Sequence, residues 1–78
     1  MQDPLEITVN RRRFDRNAGV HAAMTAEAIA TLVGVPVRNA IVEREVGPGA
    51  YERLAPGDEI SVKTGMHFLV TQEFVMGG

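Results

Sequence analysis

The chain has 78 residues, of which 45% are hydrophobic and 23% are charged, so its length and composition predict one globular domain and exclude a disordered protein. It contains no cysteine, which excludes disulfides and thiolate metal sites, and its formal charge of -2 argues against a general nucleic-acid binder. No apolar run approaches the roughly 20 residues of a membrane span and the first residues lack the apolar core of a signal peptide, so we expect a cytoplasmic protein with no membrane partner.

The first predicted element is a β-hairpin. In "LEITVN" the apolar residues Leu5, Ile7 and Val9 alternate with polar ones, which is the pattern of a half-buried strand. A polar turn follows, and "RFDR" returns with Phe14 as its apolar anchor. Asn-Arg is a weaker turn pair than Asn-Gly, because arginine tolerates positive φ poorly.

A loop over residues 17–24 and a short helix over residues 26–33 come next. Thr25 can cap this helix by accepting a hydrogen bond from a free backbone N–H of the first turn. Gly34 stands where a left-handed C-cap belongs, and Pro36 blocks continuation of the helix. One face is apolar and should dock on a sheet; it consists of Ile29, Leu32 and Val33.

The third predicted strand covers residues 40–46 and ends at the glycine and proline turn over residues 47–49. Tyr51 and Leu54 then stand three residues apart, as in a single helical turn. Such a turn would tuck both side chains under the fold.

The last core strand is predicted in "EISVK", where Ile60 and Val62 resume the two-residue alternation. Residues 67–70, "HFLV", either extend this strand past Gly65 or form an additional edge piece. Parallel pairing of the first and last strands at the centre, with the helix crossing one face, gives an α+β fold of the β-grasp type. The sheet is expected to be mixed, with four to five strands on one helix, within a domain of residues 1–71.

Residues 72–78 are predicted to be a flexible tail that ends in Gly77 and Gly78. Glycine loses more backbone freedom on ordering than any other residue, so we expect this end to be mobile. Exposed contiguous apolar surface usually marks a contact site. The apolar part of the tail is therefore expected to bind a partner; it consists of Phe74, Val75 and Met76.

Three further residues have two interpretations each. Phe68 and Val70 could complete the core or extend the apolar contact surface. Lys63 is the only lysine of the chain, so it is a candidate acceptor if copies of the protein are linked through lysine. Its ordinary role as a charge on a strand would be solubility.

A β-grasp of this length that stops on Gly-Gly resembles ubiquitin and its relatives. The opening "ITVNRRRF" hairpin, the "RLAPGDEISV" turn and the closing "GG" carry the likeness in order over the whole chain. In finer detail "MTAEAIATLVG" and "LAPGDEISVKTGMHFLVT" look most like the bacterial multiubiquitin-type domains, which are found beside ubiquitin-style conjugation enzymes. The terminal diglycine is the most specific of these features.

The resemblance implies a protein modifier that is itself not an enzyme. A ubiquitin-activating-type enzyme would use ATP to adenylate the terminal carboxylate, and a conjugating enzyme would attach the chain to target proteins. An isopeptidase-type protease belongs to the same set of partners, and in some bacterial systems such conjugation is implied in antiphage defence. Gly78 would be the acyl donor and Gly77 its companion, with no cofactor bound to the chain itself.

The length and composition of the tail suit this role. Fully extended, residues 72–78 span at most about 23 to 25 Å, enough to enter the active site of a partner, and glycine has no Cβ to block attack at its carbonyl. Ubiquitin carries arginines near its end, whereas this tail has Gln72 and Glu73 followed by apolar residues. We therefore expect a dedicated activating enzyme with an apolar groove for Phe74 and Val75.

Two other functions remain open. A sulfur carrier of thiamine or molybdopterin synthesis shares the fold, the diglycine and the adenylation step, but ends as a thiocarboxylate. A non-covalent β-grasp interaction module would carry the glycines incidentally.

Neither a nucleic-acid site nor a catalytic site is indicated by the sequence. The arginines at residues 11–13 lack interleaved aromatics, and His21 and His67 are too few for a metal site or a triad.

Overall fold

The computed structural model describes residues 5–73, and this part of the chain forms two β-sheets and one α-helix. The helix α1 covers Ala26–Leu32, and short 3-10 helices cover Arg16–Ala18 and Val37–Asn39. The strands are β1 (Ile7–Val9), β2 (Arg12–Phe14), β3 (Ala23–Thr25), β4 (Ala40–Gly47), β5 (Ala50–Leu54), β6 (Glu59–Ser61) and β7 (His67–Gln72).

The larger sheet has five strands in the order β2-β1-β7-β4-β5. Its central neighbours β1 and β7 run parallel, whereas the other three neighbouring pairs are antiparallel. The smaller sheet pairs β3 with β6. An α+β fold with a mixed five-stranded sheet and one helix is therefore confirmed, and this arrangement is compatible with a β-grasp.

One hydrophobic core lies between the larger sheet and α1, which packs against β3 and β4. Phe68 and Val70 of β7 are 2% and 4% exposed, so they belong to this core. Burial of apolar side chains stabilises a domain of this size by roughly 25 cal/mol for each Å² removed from water. The largest fully buried side chains are Phe68, Ile7, Ile29, Val9 and Val20.

The predicted hairpin and helix are confirmed with small shifts. Asn10 and Arg11 form the two-residue turn between β1 and β2, with φ of 53° and 68°. The Thr25 hydroxyl accepts a hydrogen bond from the Ala28 N–H at 3.2 Å, which caps α1 as expected. The helix ends at Leu32, one residue earlier than predicted, and Gly34 follows it with φ of 74°.

The helical turn predicted for Tyr51 and Leu54 is wrong, because both residues lie in strand β5. The glycine and proline turn at residues 47–49 closes a long hairpin in which β5 pairs with β4. Alternation then places the two side chains on opposite faces of the sheet. Leu54 is buried, whereas Tyr51 is 40% exposed.

The prediction of the last core strand is also wrong. The segment with Ile60 forms β6 in the smaller sheet, and the parallel neighbour of β1 is β7. A turn separates these strands: the Met66 N–H donates to the Lys63 carbonyl at 3.2 Å, and Gly65 has φ of 94°. The Gly65 N–H donates to the Glu6 carbonyl at 2.9 Å, which brings the chain beside β1.

The region at residues 17–24 is more ordered than the predicted loop. Asp15 starts the 3-10 helix Arg16–Ala18, since its carboxylate accepts hydrogen bonds from the Asn17 and Ala18 N–H groups at 2.9 and 3.3 Å. The strand β3 follows and pairs with β6. Its sequence is Ala-Met-Thr, which is too short to show alternation on its own.

Candidate functional site

The predicted acyl donor and partner-binding tail lie outside the described residues; they are Gly77, Gly78, Phe74, Val75 and Met76. The described chain that leads to them is held in place. Gln72 ends β7 opposite Ala40 of β4, and the Glu73 N–H donates to the Asn39 carbonyl at 2.7 Å. Glu73 is exposed, so the strand carries the chain to the surface beside the start of β4.

The candidate acceptor Lys63 follows β6 directly and is exposed. Its backbone N–H points toward the Met66 sulfur at 3.2 Å, and its carbonyl accepts from the Met66 N–H. The backbone of Lys63 is therefore fixed by the turn before β7. This leaves its exposed side chain accessible to a partner.

The face of the larger sheet that points away from α1 carries a second group of polar residues. Alternation in β7 sends Phe68 and Val70 into the core and the side chains of His67 and Leu69 to this outer face. Thr8 pairs with His67 on one side and with Arg13 on the other, so these three share the face. They border a shallow depression of about 480 Å³, whose lining comprises Thr8, Arg11, Arg13, Tyr51, His67, Phe68 and Leu69.

The turn at one edge of this depression is clamped by the Asn10 side chain. Its amide group donates to the Val70 carbonyl at 2.9 Å, and its amide oxygen accepts from the Val70 N–H at 2.8 Å. The Asn10 N–H donates to the Phe68 carbonyl at 3.1 Å. These bonds continue the ladder between β1 and β7 past Val9 and fix the backbone from which Arg11 projects.

Tyr51 stands at the opposite edge, where its hydroxyl donates to a Glu45 carboxylate oxygen at 3.3 Å. Loss of hydration raises the pKa of the Tyr51 phenol above 10.0, and the carboxylates of Glu45 and Glu43 raise it further. The guanidinium of Arg11 acts in the opposite sense on the same pKa. Arg11 and Tyr51 thus lie within electrostatic reach of one another across the depression.

Sequence reasoning treated these residues separately and missed the group that they form. The sequence predicts a polar turn at the arginines and a Tyr51 side chain under the fold, and it indicates no metal-binding or catalytic role for His67. Recognition of residues 67–72 as a strand would have placed His67 and Leu69 on one face. In the described part of the chain, no group of histidine, cysteine, aspartate or glutamate residues could hold a metal ion.

The fold and surface together define a small α+β protein with a mixed five-stranded sheet and an open, partly cationic outer face. Comparison of the chain with protein-family models, curated proteins and solved structures finds no match. Among residues 5–73 no helix is long and apolar enough to cross a membrane.

Proposed function

We propose that this protein is a bacterial ubiquitin-like modifier that is attached to target proteins through Gly78. The order of elements supports this proposal: a hairpin, a helix and a second hairpin precede β7, which lies parallel to β1 at the centre of the sheet. This arrangement is compatible with a β-grasp, and the diglycine follows that central strand in the sequence. Fully extended, residues 74–78 would reach at most about 18 Å beyond Glu73.

The proposed reaction makes the terminal carboxylate electrophilic. The Gly78 carboxylate attacks the α-phosphate of ATP on a ubiquitin-activating-type enzyme, and pyrophosphate leaves. A cysteine thiolate of that enzyme attacks the acyl adenylate and releases AMP, and the acyl group passes to a cysteine of a conjugating enzyme. A target amine then attacks the thioester and releases the thiolate, and an isopeptidase-type protease would reverse the attachment.

In this scheme the chain is a substrate of its partners rather than an enzyme, and ATP is bound by the activating enzyme. Absence of a side chain at Gly77 and Gly78 removes steric hindrance at each acyl transfer. Lys63 is the one position where a second copy could be linked through a lysine side chain. A cytoplasmic role in antiphage defence is the setting that the resemblance suggests.

Proteomics in the native host tests the proposal directly. Because glutamate stands immediately before the last five residues, an endoproteinase that cleaves after glutamate would leave a Phe-Val-Met-Gly-Gly branch on each modified lysine. We expect this branch on target proteins when the full chain is expressed. The matched control is the chain without Gly78, which should give no branched peptides.

Intact mass after incubation with ATP and the activating enzyme separates the alternatives. Transfer to the enzyme cysteine supports the modifier. A mass increase that corresponds to replacement of one carboxylate oxygen by sulfur, after addition of a sulfide donor, would instead identify a sulfur carrier. A chain that stays unmodified under both conditions would indicate a non-covalent interaction module.

A further inference from the structure

The outer face of the larger sheet carries positive charge at its β2 edge, whereas farther across it Glu43 of β4 lies opposite Arg53 of β5. Arg13, Thr8 and His67 form one row across β2, β1 and β7. Strand spacing makes this row about 10 Å wide. On the other side of Leu69 the same face carries Glu43, which is its cross-strand neighbour in β4. A chain with a net charge of -2 thus presents a local cationic edge.

Arg11 adds to this edge at a conformational cost. Its φ of 68° lies in the left-handed region, where glycine is favoured over any residue with a Cβ. The turn itself does not require arginine, because Asn10 makes the hydrogen bonds that hold it. Strain that persists without a structural benefit is found mainly at functional sites.

Neither Arg11 nor Arg13 forms an ion pair with a described residue, although both are exposed at the rim of the depression. Their planar guanidinium groups can each donate two parallel hydrogen bonds to a carboxylate. The half-buried side chain of Leu69 lines the same depression and offers an apolar contact. Charge and apolar surface are therefore combined within one depression.

We propose that this depression binds an acidic, extended segment of a partner protein. The carboxylates of the segment contact Arg11 and Arg13, and an aliphatic side chain lies on Leu69. Nucleic acid fits less well, because a phosphate backbone carries negative charge along its whole length and would also lie over Glu43 and Glu45, whereas a short segment can place its few carboxylates on Arg11 and Arg13. The site needs neither Gly78 nor ATP, so it stands independently of the proposed acyl transfer.

The chain provides its own reporter for this binding. Tyr51 is the only tyrosine and there is no tryptophan, so intrinsic fluorescence comes from the edge of the depression. The probe is the peptide acetyl-Asp-Ser-Glu-Ser-Leu-Gly-amide, in which both acids and the leucine point to one side when extended. We expect saturable fluorescence change that weakens as salt increases. The matched peptide with Asn and Gln in place of Asp and Glu should give none.

Two variants connect the binding to the arginines. Arg11→Gly and Arg13→Gln should each weaken the peptide affinity by about tenfold, the usual effect of losing a charge-assisted hydrogen bond. Arg11→Gly should leave the denaturation midpoint unchanged or raised, because glycine accepts the positive φ. Loss of binding in that variant then cannot result from unfolding. Arg38→Gln, an exposed arginine outside the depression, is the matched control and should bind normally.

The remaining outcomes would overturn the proposal. These are unchanged peptide affinity in the double variant Arg11→Gly and Arg13→Gln, equal binding of the neutral peptide, or a fluorescence change that Arg38→Gln also abolishes. Tighter binding of inorganic phosphate or of single-stranded RNA than of the acidic peptide would overturn it as well. Chemical shift changes in an amide NMR spectrum should fall on Thr8, Arg11 and Leu69, and changes confined to other regions would place the peptide elsewhere.

Discussion

The Asn10 side chain makes hydrogen bonds to the backbone of β7 at the point where the backbone bonds between β1 and β7 end. It bonds both polar backbone groups of Val70, a residue that is only 4% exposed. Asparagine also accepts left-handed φ better than most residues. The residue thus satisfies two hydrogen-bonding groups of the central strand β7 with its side chain, while its backbone forms part of the turn beside that strand.

Asn10→Ala is expected to lower the free energy of unfolding by about 2 to 4 kcal/mol, since it removes both bonds to Val70 and places a Cβ-bearing residue without a local hydrogen bond at φ of 53°. Chemical denaturation measures the loss. Asn10→Gly is the control, because it keeps the turn conformation and should lose only about 1 to 2 kcal/mol. An alanine variant as stable as the parent chain would contradict the clamp.

The ionisation of Tyr51 tests the charge arrangement around the depression. Loss of hydration and the carboxylate of Glu45 raise the pKa of the phenol, and Arg11 lowers it. We expect Glu45→Gln to lower this pKa and Arg11→Gln to raise it. Phenolate absorbance gives the pKa without ambiguity because the chain has a single tyrosine. Identical titration curves for the two variants would show that neither charge faces the hydroxyl.

The same shift determines how Tyr51 affects stability at high pH. Its folded-state pKa is raised above the unfolded value, so its contribution to stability is fully present below the unfolded pKa and is lost as pH rises through the folded pKa. This contribution to the free energy of unfolding is therefore lost only at alkaline pH. Tyr51→Phe should remove this part of the alkaline destabilisation.

Strand β7 connects the core, the outer face and the tail. Phe68 lies inside with 2% exposure, whereas its neighbour Leu69 borders the outer depression. Phe68→Ala should reduce the free energy of unfolding by about 3 to 5 kcal/mol, since it removes a large buried ring. Leu69→Ala, the matched truncation on the other face, should cost less than about 1 kcal/mol. Equal losses in a denaturant series would contradict this orientation.

Local signals predicted some elements well and others poorly. The first hairpin and α1 follow from alternation, from the Thr25 cap and from Gly34, all of which act over a few residues. The identity of the central strand does not follow from local signals. It depends on the turn at Gly65 and on the hydrogen bond from the Gly65 N–H to the carbonyl of Glu6, which stands 59 positions earlier in the chain. Tertiary contacts of this kind leave no local pattern.

The candidate functional residues also divide into those that the sequence alone can indicate and those that depend on tertiary contacts. Diglycine and an apolar tail can be recognised in the sequence, and the assignments made to Gly77 and Gly78 remain predictions. The depression could not be recognised, since Arg11, Tyr51 and Leu69 meet only through pairing of strands that are distant in the sequence. The sequence pattern at Tyr51 predicts a helical turn, so it does not place this residue at the edge of the depression.

At the scale of the whole molecule, β7 leads from one proposed surface to the other. Its first residues border the outer depression, and its last residue, Gln72, stands two positions before the apolar part of the tail. Partner binding at the depression and acyl transfer at Gly78 can therefore be separated by variants. Arg13→Gln should affect only the first, and changes in the tail only the second.

The apolar part of the tail is expected to determine which activating enzyme accepts the chain. We predict that the double variant Phe74→Ala and Val75→Ala slows adenylation by about tenfold or more, because truncation of two apolar side chains removes contacts worth roughly 1.5 to 3 kcal/mol each when fully buried in a partner. The exchange of labelled pyrophosphate into ATP measures the rate. Adenylation at the rate of the parent chain would show that no apolar groove reads these residues.

Deletion of Gly78 separates the stability of the domain from its chemistry. The core of the described residues lies between Leu5 and Val70, so the loss of Gly78 should leave the thermal midpoint unchanged. Under the proposed function, transfer to a partner cysteine should be abolished, because the shortened chain ends one residue before the proposed acyl donor. A chain that loses both its midpoint and its transfer would indicate a structural role for Gly78, and one that keeps transfer would show that another carboxylate is the acyl donor.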